Sequence, residues 1–595
     1  MEKFTMLALS PDLQVANVPY NVQRIQDAMQ CTRKEERIVV FPRLCLCGAT
    51  CGDLFLQPSL ADACLVGLKG LLDCSRDKPS VFFVGMPLKI EGALYDVAVA
   101  LSGGKILGVV VNDCLSLEDK RRFSVLEGEG TLSLLGDDVP YGADFTFDVF
   151  GKKITCLIGA EEEKILSRAN RLKQKGVVGF FHLSSATEGV GQPLVRQRLA
   201  QKVSAGGCFY LCSNPAWGES TSWDVYSAHN LYAKNGALYA QTVPFGDGVL
   251  RVDENTTKEI TVSNHVDKLT PFPFLPQENV DETCALIFEI QARSLAKRII
   301  HAHARTVVIG VSGGLDSTLA LLVIDKAFDI LKKDKKELIA VTMPGFGTTG
   351  KTLKNALGLI DAIGATTKTI DIKKSVLQHF EDIGHDPEKL DTTYENAQAR
   401  MRTLILMDIA NATGGIVVGT GDLSESALGW CTYNGDHMSM YSVNATLPKT
   451  LIRKVVERVA QAYDEPMKGT LLSVLGTEIS PELLPPSKDG KIAQKTEELV
   501  GPYELHDFFL YYSIGQNKTP TETYALAMQA FGEKFDGDTI KKWLKNFYKR
   551  FFTQQFKRSC APDGANIGVI SFSPLRWQMP SDACADVWIM EADNL

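Results

Sequence analysis

A chain of 595 residues, 45% hydrophobic and 23% charged, has room for two to four domains that each bury a core. Its net charge of −8 gives no basis for nucleic-acid binding, and no apolar run approaches the roughly 18 residues that cross a bilayer. Fourteen cysteines are scattered along the chain and no signal peptide is read at its start, so they are expected to be reduced thiols of a cytoplasmic protein.

In the first half, strands are predicted at 4–9, 37–41, 81–84, 97–101, 105–111, 145–150, 153–158, 177–182 and 208–213. A helix is predicted from Asn21, with further helical stretches between the strands, which gives a layered α/β domain over 1–265. Cys45, Cys47 and Cys51 lack a fourth ligand and zinc-ribbon spacing, and read as buried thiols. Residues 266–280 read as a linker or packed strap, stiffened by Pro271, Pro273 and Pro276.

A helix predicted over 281–304 opens the second half, and strands at 307–311, 338–343, 368–372 and 416–420 alternate with helical patterns. That alternation predicts a doubly wound parallel sheet within 281–595, with ligands at the carboxyl ends of its strands. The run from Thr306 to Val323 is its key stretch. Val307 to Val311 reads as a buried strand, Ser312, Gly313 and Gly314 as a turn, and Asp316, Ser317 and Thr318 as the start of a helix ending near Lys332. Strand, glycine turn and helix start aim free backbone N–H groups at an anion, and the glycines let a phosphate approach closely. Ser312 and Ser317 add hydroxyl donors, and Asp316 suits Mg²⁺. No Gly-Lys-Ser/Thr closes the turn, so it is not a Walker A loop.

Other motifs fall around the strand ends. The loop 343–350 is small and flexible enough to fold over a nucleotide. Asn396 and Arg400, four apart on a helix predicted over 394–412, share a face and together suit a carboxylate or phosphate. Thr420 and a carboxylate after the fourth strand suit a nucleotide and its metal, and Trp430 and Tyr433 read either as stacking partners or as core. Pro485, Pro486 and the polar run 487–494 read as a lid. Thr519-Pro520-Thr521-Glu522 is a capping box, and a helix over 538–556 carries Lys541, Lys542, Lys545, Lys549 and Arg550 on an expected solvated face.

Six motifs occur in order: Ser-Gly-Gly-Leu-Asp-Ser at 312–317, Met-Pro-Gly-Phe at 343–346, Glu-Asn-Ala-Gln-Ala-Arg at 395–400, Gly-Thr-Gly-Asp-Leu-Ser-Glu at 419–425, Ala-Leu-Gly-Trp-Cys-Thr-Tyr at 427–433 and Pro-Lys-Thr at 448–450. The set closely resembles the NAD synthetase family, in its long form with a nitrilase-like amino-terminal domain. The resemblance implies an α/β fold throughout: a nitrilase-like α/β sandwich, then an ATP pyrophosphatase (adenine nucleotide hydrolase-like) domain. By matched position it implies ATP contacts at Gly310, Val311, Ser312, Gly313, Gly314, Leu315, Asp316, Ser317 and Thr420. It implies deamido-NAD contacts at Asn396, Arg400, Glu425, Trp430, Cys431, Thr432, Tyr433 and Lys557, and Mg²⁺ at Asp316 and Glu425. Lys449 would supply positive charge to the phosphates or adenylate. The implied reaction adenylates deamido-NAD with ATP, releases pyrophosphate, and lets ammonia displace AMP to give NAD. A homo-oligomer is implied as well, a dimer at the least and an octamer in the long form.

Four further motifs carry the nitrilase-like resemblance of the first half: Phe41-Pro42-Arg43-Leu44, Val84-Gly85-Met86-Pro87, Gly104-Lys105-Ile106-Leu107-Gly108 and Gly218-Glu219-Ser220-Thr221. That family uses a Glu, Lys, Cys triad, and here the matching positions hold Arg43, Asn112 and Gly159. Cys156 lies three residues earlier, where an odd offset turns it to the other face of its strand. The expectation is an amidase fold without amidase chemistry, and nitrogen taken from ammonia. The alternatives are glutamine use through Cys156, an adenylating synthetase with another acceptor, or a regulatory subunit with both sites decayed.

Overall fold

The computed structural model describes residues 5–126, 128–253, 256–263, 268–275, 277–348, 350–477, 483–484 and 496–595, in two compact units, Met1–Asn264 and His265–Leu595. The expected lid, at 485–494, lies outside the described residues.

The first unit stacks two sheets. Strands β1 (Thr5–Leu9), β2 (Glu36–Val40), β3 (Val81–Ile90), β4 (Ala93–Ser102), β5 (Lys105–Val111), β6 (Glu129–Leu134) and β7 (Asp137–Gly142) join β14 (Val249–Val252) in the order β14-β1-β2-β3-β4-β5-β7-β6. Strands β8 (Phe147–Val149), β9 (Lys152–Gly159), β10 (Gly179–Ser184), β11 (Phe209–Ser213), β12 (Leu231–Lys234) and β13 (Ala237–Gln241) form the second. Helices α1 (Val18–Gln30) and α2 (Pro58–Cys74) pack outside the first sheet, and α3 (Glu162–Gln174) and α4 (Gln192–Ser204) outside the second.

Period-two patterning builds these layers. On β9, Ile154, Cys156 and Ile158 face the core between the sheets, with Phe83, Phe181 and Leu211, while Leu157 faces the core under α3 and α4. Cys45, Cys47 and Cys51 are buried in the core beneath α1 and α2.

The second unit is built on a five-stranded sheet. Its strands β15 (Val307–Gly310), β16 (Leu338–Thr342), β17 (Thr366–Thr369), β18 (Ile416–Gly419) and β19 (Tyr441–Ser442) pair in parallel, in the order β17-β16-β15-β18-β19. The chain starts in the middle at β15, builds toward β17, then returns to add β18 on the other side. The carboxyl ends of β15 and β18 therefore flank a switch point, where such sheets bind ligands. Helices α5 (Val280–His301), α6 (Leu315–Leu331), α7 (Gly350–Ile363), α8 (Lys373–Ile383) and α9 (Thr392–Thr413) come with the first strands. After β18 follow α10 (Leu423–Leu428), α11 (Lys449–Ala460), α12 (Met467–Leu475), α13 (Thr496–Val500), α14 (Tyr503–Phe509), α15 (Pro520–Phe531), α16 (Gly537–Thr553), α17 (Gln555–Arg558) and α18 (Asp586–Asp593).

The capping box forms at α15: Thr519 accepts from the Glu522 N–H while Glu522 accepts from that of Thr519. In the strap, Phe274 is buried, its ring edge-on to Tyr511 at 5.2 Å. The basic run of α16 is only partly a solvated face: Lys542 and Lys549 are exposed, while the other three cations reach protein partners. Lys541 donates to the Asp593 and Leu595 carbonyls, Lys545 pairs with Asp593, and Arg550 donates to the Leu428 carbonyl at 3.0 Å. Carbonyls of 593, 595 and 428 and the Asp593 carboxylate lie within reach of Lys541, Lys545 and Arg550, which therefore bond to protein.

Candidate active site

The glycine turn hands β15 to α6 at the switch point. Gly314 caps the helix, its N–H bonded to the Ser312 hydroxyl at 3.2 Å, and the Ser312 and Ser317 hydroxyls lie 3.1 Å apart. Gly313 has φ +87°, and a Cβ there would stand 2.0 Å from the Thr352 carbonyl oxygen. That close approach requires glycine and seats the turn against α7.

The turn opens onto a cavity of about 970 Å³, which falls in the size range of small-molecule sites. Gly310, Val311, Ser312, Gly314, Leu315, Asp316, Ser317 and Thr420 line it, while Gly313 does not. Asn396, Arg400, Glu425, Trp430, Cys431, Thr432, Tyr433 and Lys557 line the same cavity. The two sets of residues singled out in the sequence thus share one space.

Hydrogen bonds shape the second set. Asn396 accepts from the Thr432 hydroxyl at 2.7 Å, and Arg400 donates to the Tyr433 carbonyl at 3.3 Å, so one face of α9 holds the 430–433 loop. Lys557 donates to the Gly429 and Cys431 carbonyls, each at 2.7 Å. One face of Trp430 is covered by the Arg550 guanidinium, 5.3 Å from the ring centroid. Tyr433 stacks on His437 and is 43% exposed, which leaves its ring on the cavity side rather than in the core.

Between the two sets sits a charge cluster. Lys449, at the start of α11, is 3% exposed and places its ammonium 2.7 Å from Asp316, 2.6 Å from Asp422 and 2.9 Å from Glu425. Oxygens of these three carboxylates lie within 4.8 Å of one another. Burial opposes charge on Lys449, but the carboxylates hold its pKa well above the ordinary value. Burial pushes Asp422 upward and Glu425 up to about 7, against the pull of Lys449. Three carboxylates and one ammonium leave two negative charges when all are ionised, enough to attract a divalent cation. Asp316 Oδ1 is buried without a hydrogen-bond partner, and hard carboxylate oxygens suit Mg²⁺. The donor set therefore fits that ion.

Two expectations change here. Lys449 does not line the cavity; its ammonium turns to three carboxylates within 3 Å instead of facing open space. Beside the expected pair Asp316 and Glu425 stands a third carboxylate, Asp422, which caps α10 by accepting the Glu425 N–H at 2.7 Å. Residues missed in the sequence also hold the site. Asn444 donates to the Asp316 and Thr420 carbonyls at 3.1 and 3.2 Å, and accepts from Gln291 of α5 at 3.1 Å. A buried Asn within a loop gave no spacing signal that would single it out.

The three positions matched to the amidase triad also come together. The Arg43 guanidinium donates to Asp96 at 2.7 Å, to Asp119 at 2.8 Å and to Ser185 at 3.2 Å. Asn112 donates to the same Asp96 oxygen at 2.7 Å and accepts the Cys114 N–H at 2.8 Å. A Cβ on Gly159 would lie 3.8 Å from the Asn112 amide nitrogen and 3.9 Å from the Cys114 Cβ. Cys114, not Cys156, is the thiol residue beside that position. Burial pushes the Cys114 thiol up to about 12, and it donates to Asp113 at 3.4 Å, which opposes a thiolate. Cys156 is fully buried between the sheets, and burial raises its pKa far above the ordinary thiol value. Behind Gly159, His182 donates from Nε2 to the Gly159 carbonyl at 2.9 Å, so its Nδ1 accepts from the Tyr210 hydroxyl at 2.6 Å.

The family model for NAD synthase matches residues 287–552. Glutamine-dependent NAD(+) synthetases of Mycobacterium tuberculosis and Mycobacterium bovis are 34% identical to the chain, over 95% of it and 94% of their own length. That of Acinetobacter baylyi is 25% identical over 92% of the chain and 94% of its own. A crystal structure of a glutamine-dependent NAD(+) synthetase from Cytophaga hutchinsonii has the same fold, with TM-score 0.79 at 18% identity over 99% of this chain and 100% of that one. With 34% identity to curated relatives along nearly its whole length, the chain belongs to the glutamine-dependent NAD(+) synthetase family.

Proposed function

We propose that this NAD synthetase amidates deamido-NAD with ammonia, through an adenylate formed in the cavity between the 312–317 turn and the 430–433 loop. What carries the reading is the shared cavity: the turn suited to ATP phosphates and the loop matched to the pyridine dinucleotide face one space, with the carboxylate trio between them. An oxygen of the nicotinate carboxylate attacks the α-phosphorus of ATP, and the bond to pyrophosphate breaks. Ammonia then attacks the acyl carbon, AMP leaves with the carboxylate oxygen, and nitrogen loses a proton to give the amide.

The first step brings anions together, so charge control matters most. The free N–H groups at the start of α6 face the phosphates, and Ser312 and Ser317 add hydroxyls. Asp316, Asp422 and Glu425 would hold Mg²⁺, which when bound neutralises phosphate charge. Lys449 keeps the three carboxylates together, and Asn396, Arg400 and Lys557 fix the loop that receives the dinucleotide.

Nitrogen comes from free ammonia, or from ammonia made by a separate amidase. This part rests on Arg43, Asn112 and Gly159. A cation bonded to two aspartates stands where a carboxylate base is needed, and the nucleophile position has no side chain. Oxygen-18 in the deamido-NAD carboxylate tests the adenylate. One labelled oxygen is expected in AMP, and AMP free of label would overturn the route.

A further inference from the structure

Glu425 and Lys449 come from different helices, 24 residues apart, yet meet at 2.9 Å. Something must hold α10 against α11. A third helix does so from behind. Asp507 of α14 is 2% exposed and receives a hydrogen bond from the Ser424 hydroxyl on one carboxylate oxygen. Its other oxygen accepts the Thr450 N–H at 3.0 Å and the Thr450 hydroxyl at 2.7 Å. Ser424 Oγ in turn accepts the Lys449 N–H at 2.8 Å. The residues bound by Asp507 are thus the immediate neighbours of Glu425 and Lys449. Tyr503, one turn earlier on α14, covers Lys449 with its ring, 5.4 Å from the ammonium.

We propose that Asp507 is a positioning residue of the ligation. It ties Ser424 to Thr450 and so sets where the Glu425 carboxylate meets the Lys449 ammonium. It does not reach the cavity: its acceptor sites are filled by two side chains and one backbone N–H. A carboxylate suits the place because both its oxygens accept, whereas an amide would reverse the bond to the Ser424 hydroxyl. With its oxygen on Thr450, an amide turns its NH₂ to Ser424 Oγ, which already accepts the Lys449 N–H and must then give up its own donated bond. The inference rests on the reading that Glu425 acts in the reaction.

Asp507→Asn and Ser424→Ala test it, measured as NAD formation from deamido-NAD, ATP and ammonium below each variant's melting temperature. For Asp507→Asn, kcat should fall tenfold to a hundredfold, on the order expected for displaced catalytic groups. The KM values for ATP and deamido-NAD should stay within about twofold, and half-saturating Mg²⁺ should rise. Ser424→Ala, which keeps a helix-compatible residue, should fall in the same direction. Unchanged kcat and Mg²⁺ dependence in folded Asp507→Asn would overturn the proposal. If that variant does not fold, unchanged kcat in Ser424→Ala would do so. Glu425→Gln separates the two layers: full activity there removes the underlying reading, while its loss alongside intact Asp507→Asn removes this inference alone.

Discussion

Lys449→Met keeps an unbranched side chain of similar length and removes the positive charge from three carboxylates that it now touches at 2.6 to 2.9 Å. The site is 3% exposed, so water cannot replace the ammonium. Stranding partners of a buried ion pair typically costs about 3–5 kcal/mol. The second unit spans His265–Leu595, and at about 2.1 cal/mol/K per residue its unfolding entropy is roughly 0.7 kcal/mol/K, so its melting temperature should drop by about 4–7 °C. Glu425 already titrates near pH 7 and can take a proton to relieve the repulsion. An acid whose folded pKa is raised loses stability as pH climbs toward that pKa, so the deficit of the variant should be larger at pH 8.5 than at pH 6.5. Millimolar Mg²⁺ should recover part of it. Calorimetry at both pH values, with and without Mg²⁺, is the assay. A variant that melts within about 1 °C of the parent at pH 8.5 would refute the cluster as a coupled unit.

Gly313→Ala would drive a Cβ into the Thr352 carbonyl at φ +87°, so the turn must move and KM for ATP should rise at least about tenfold; an unchanged ATP titration would contradict this. Arg43→Ala leaves Asp96 and Asp119 without their cation, and should cost the first unit about 3–5 kcal/mol in urea unfolding while ammonium-supported kcat stays within about twofold. Burial lowers the pKa of His182 to about 4. Above pH 6.5 it is neutral folded and unfolded, and between 6.5 and 4 only the unfolded chain gains the proton. Stability should therefore fall by about 2 kcal/mol from pH 7.5 to pH 5, and His182→Gln should lack that part of the slope.

The second unit was largely legible because its chemistry sits in contiguous motifs at strand ends. Val307, Val308 and Ile309 are buried on both faces of a parallel sheet, so they read as one apolar run. The hairpin of β6, the edge strand, and β7 was missed because its run is polar, with Glu129, Asp137 and Asp138 exposed. Strand β17 was placed two residues late for a similar reason: Thr366 to Thr369 form an exposed edge and carry no apolar alternation. Within the site, the family resemblance named Asp316 and Glu425 but not Asp422 or Asp507. Asp422 caps α10 locally, but its approach to Lys449 and the tethering by Asp507 depend on which helices meet, and local sequence does not record that. The direction of the Lys449 ammonium was hidden in the same way, since its three partners lie 133, 27 and 24 residues away.

Nitrogen-15 labelling decides the donor most directly. The enzyme is supplied with deamido-NAD, ATP and Mg²⁺, together with unlabelled ammonium and amide-labelled glutamine, and NAD is read by mass. NAD should carry no label, and glutamine alone in ammonium-free buffer should yield none of it. Labelled NAD made from glutamine by the purified chain would mean that the amino-terminal unit still hydrolyses glutamine, in spite of Arg43, Asn112 and Gly159.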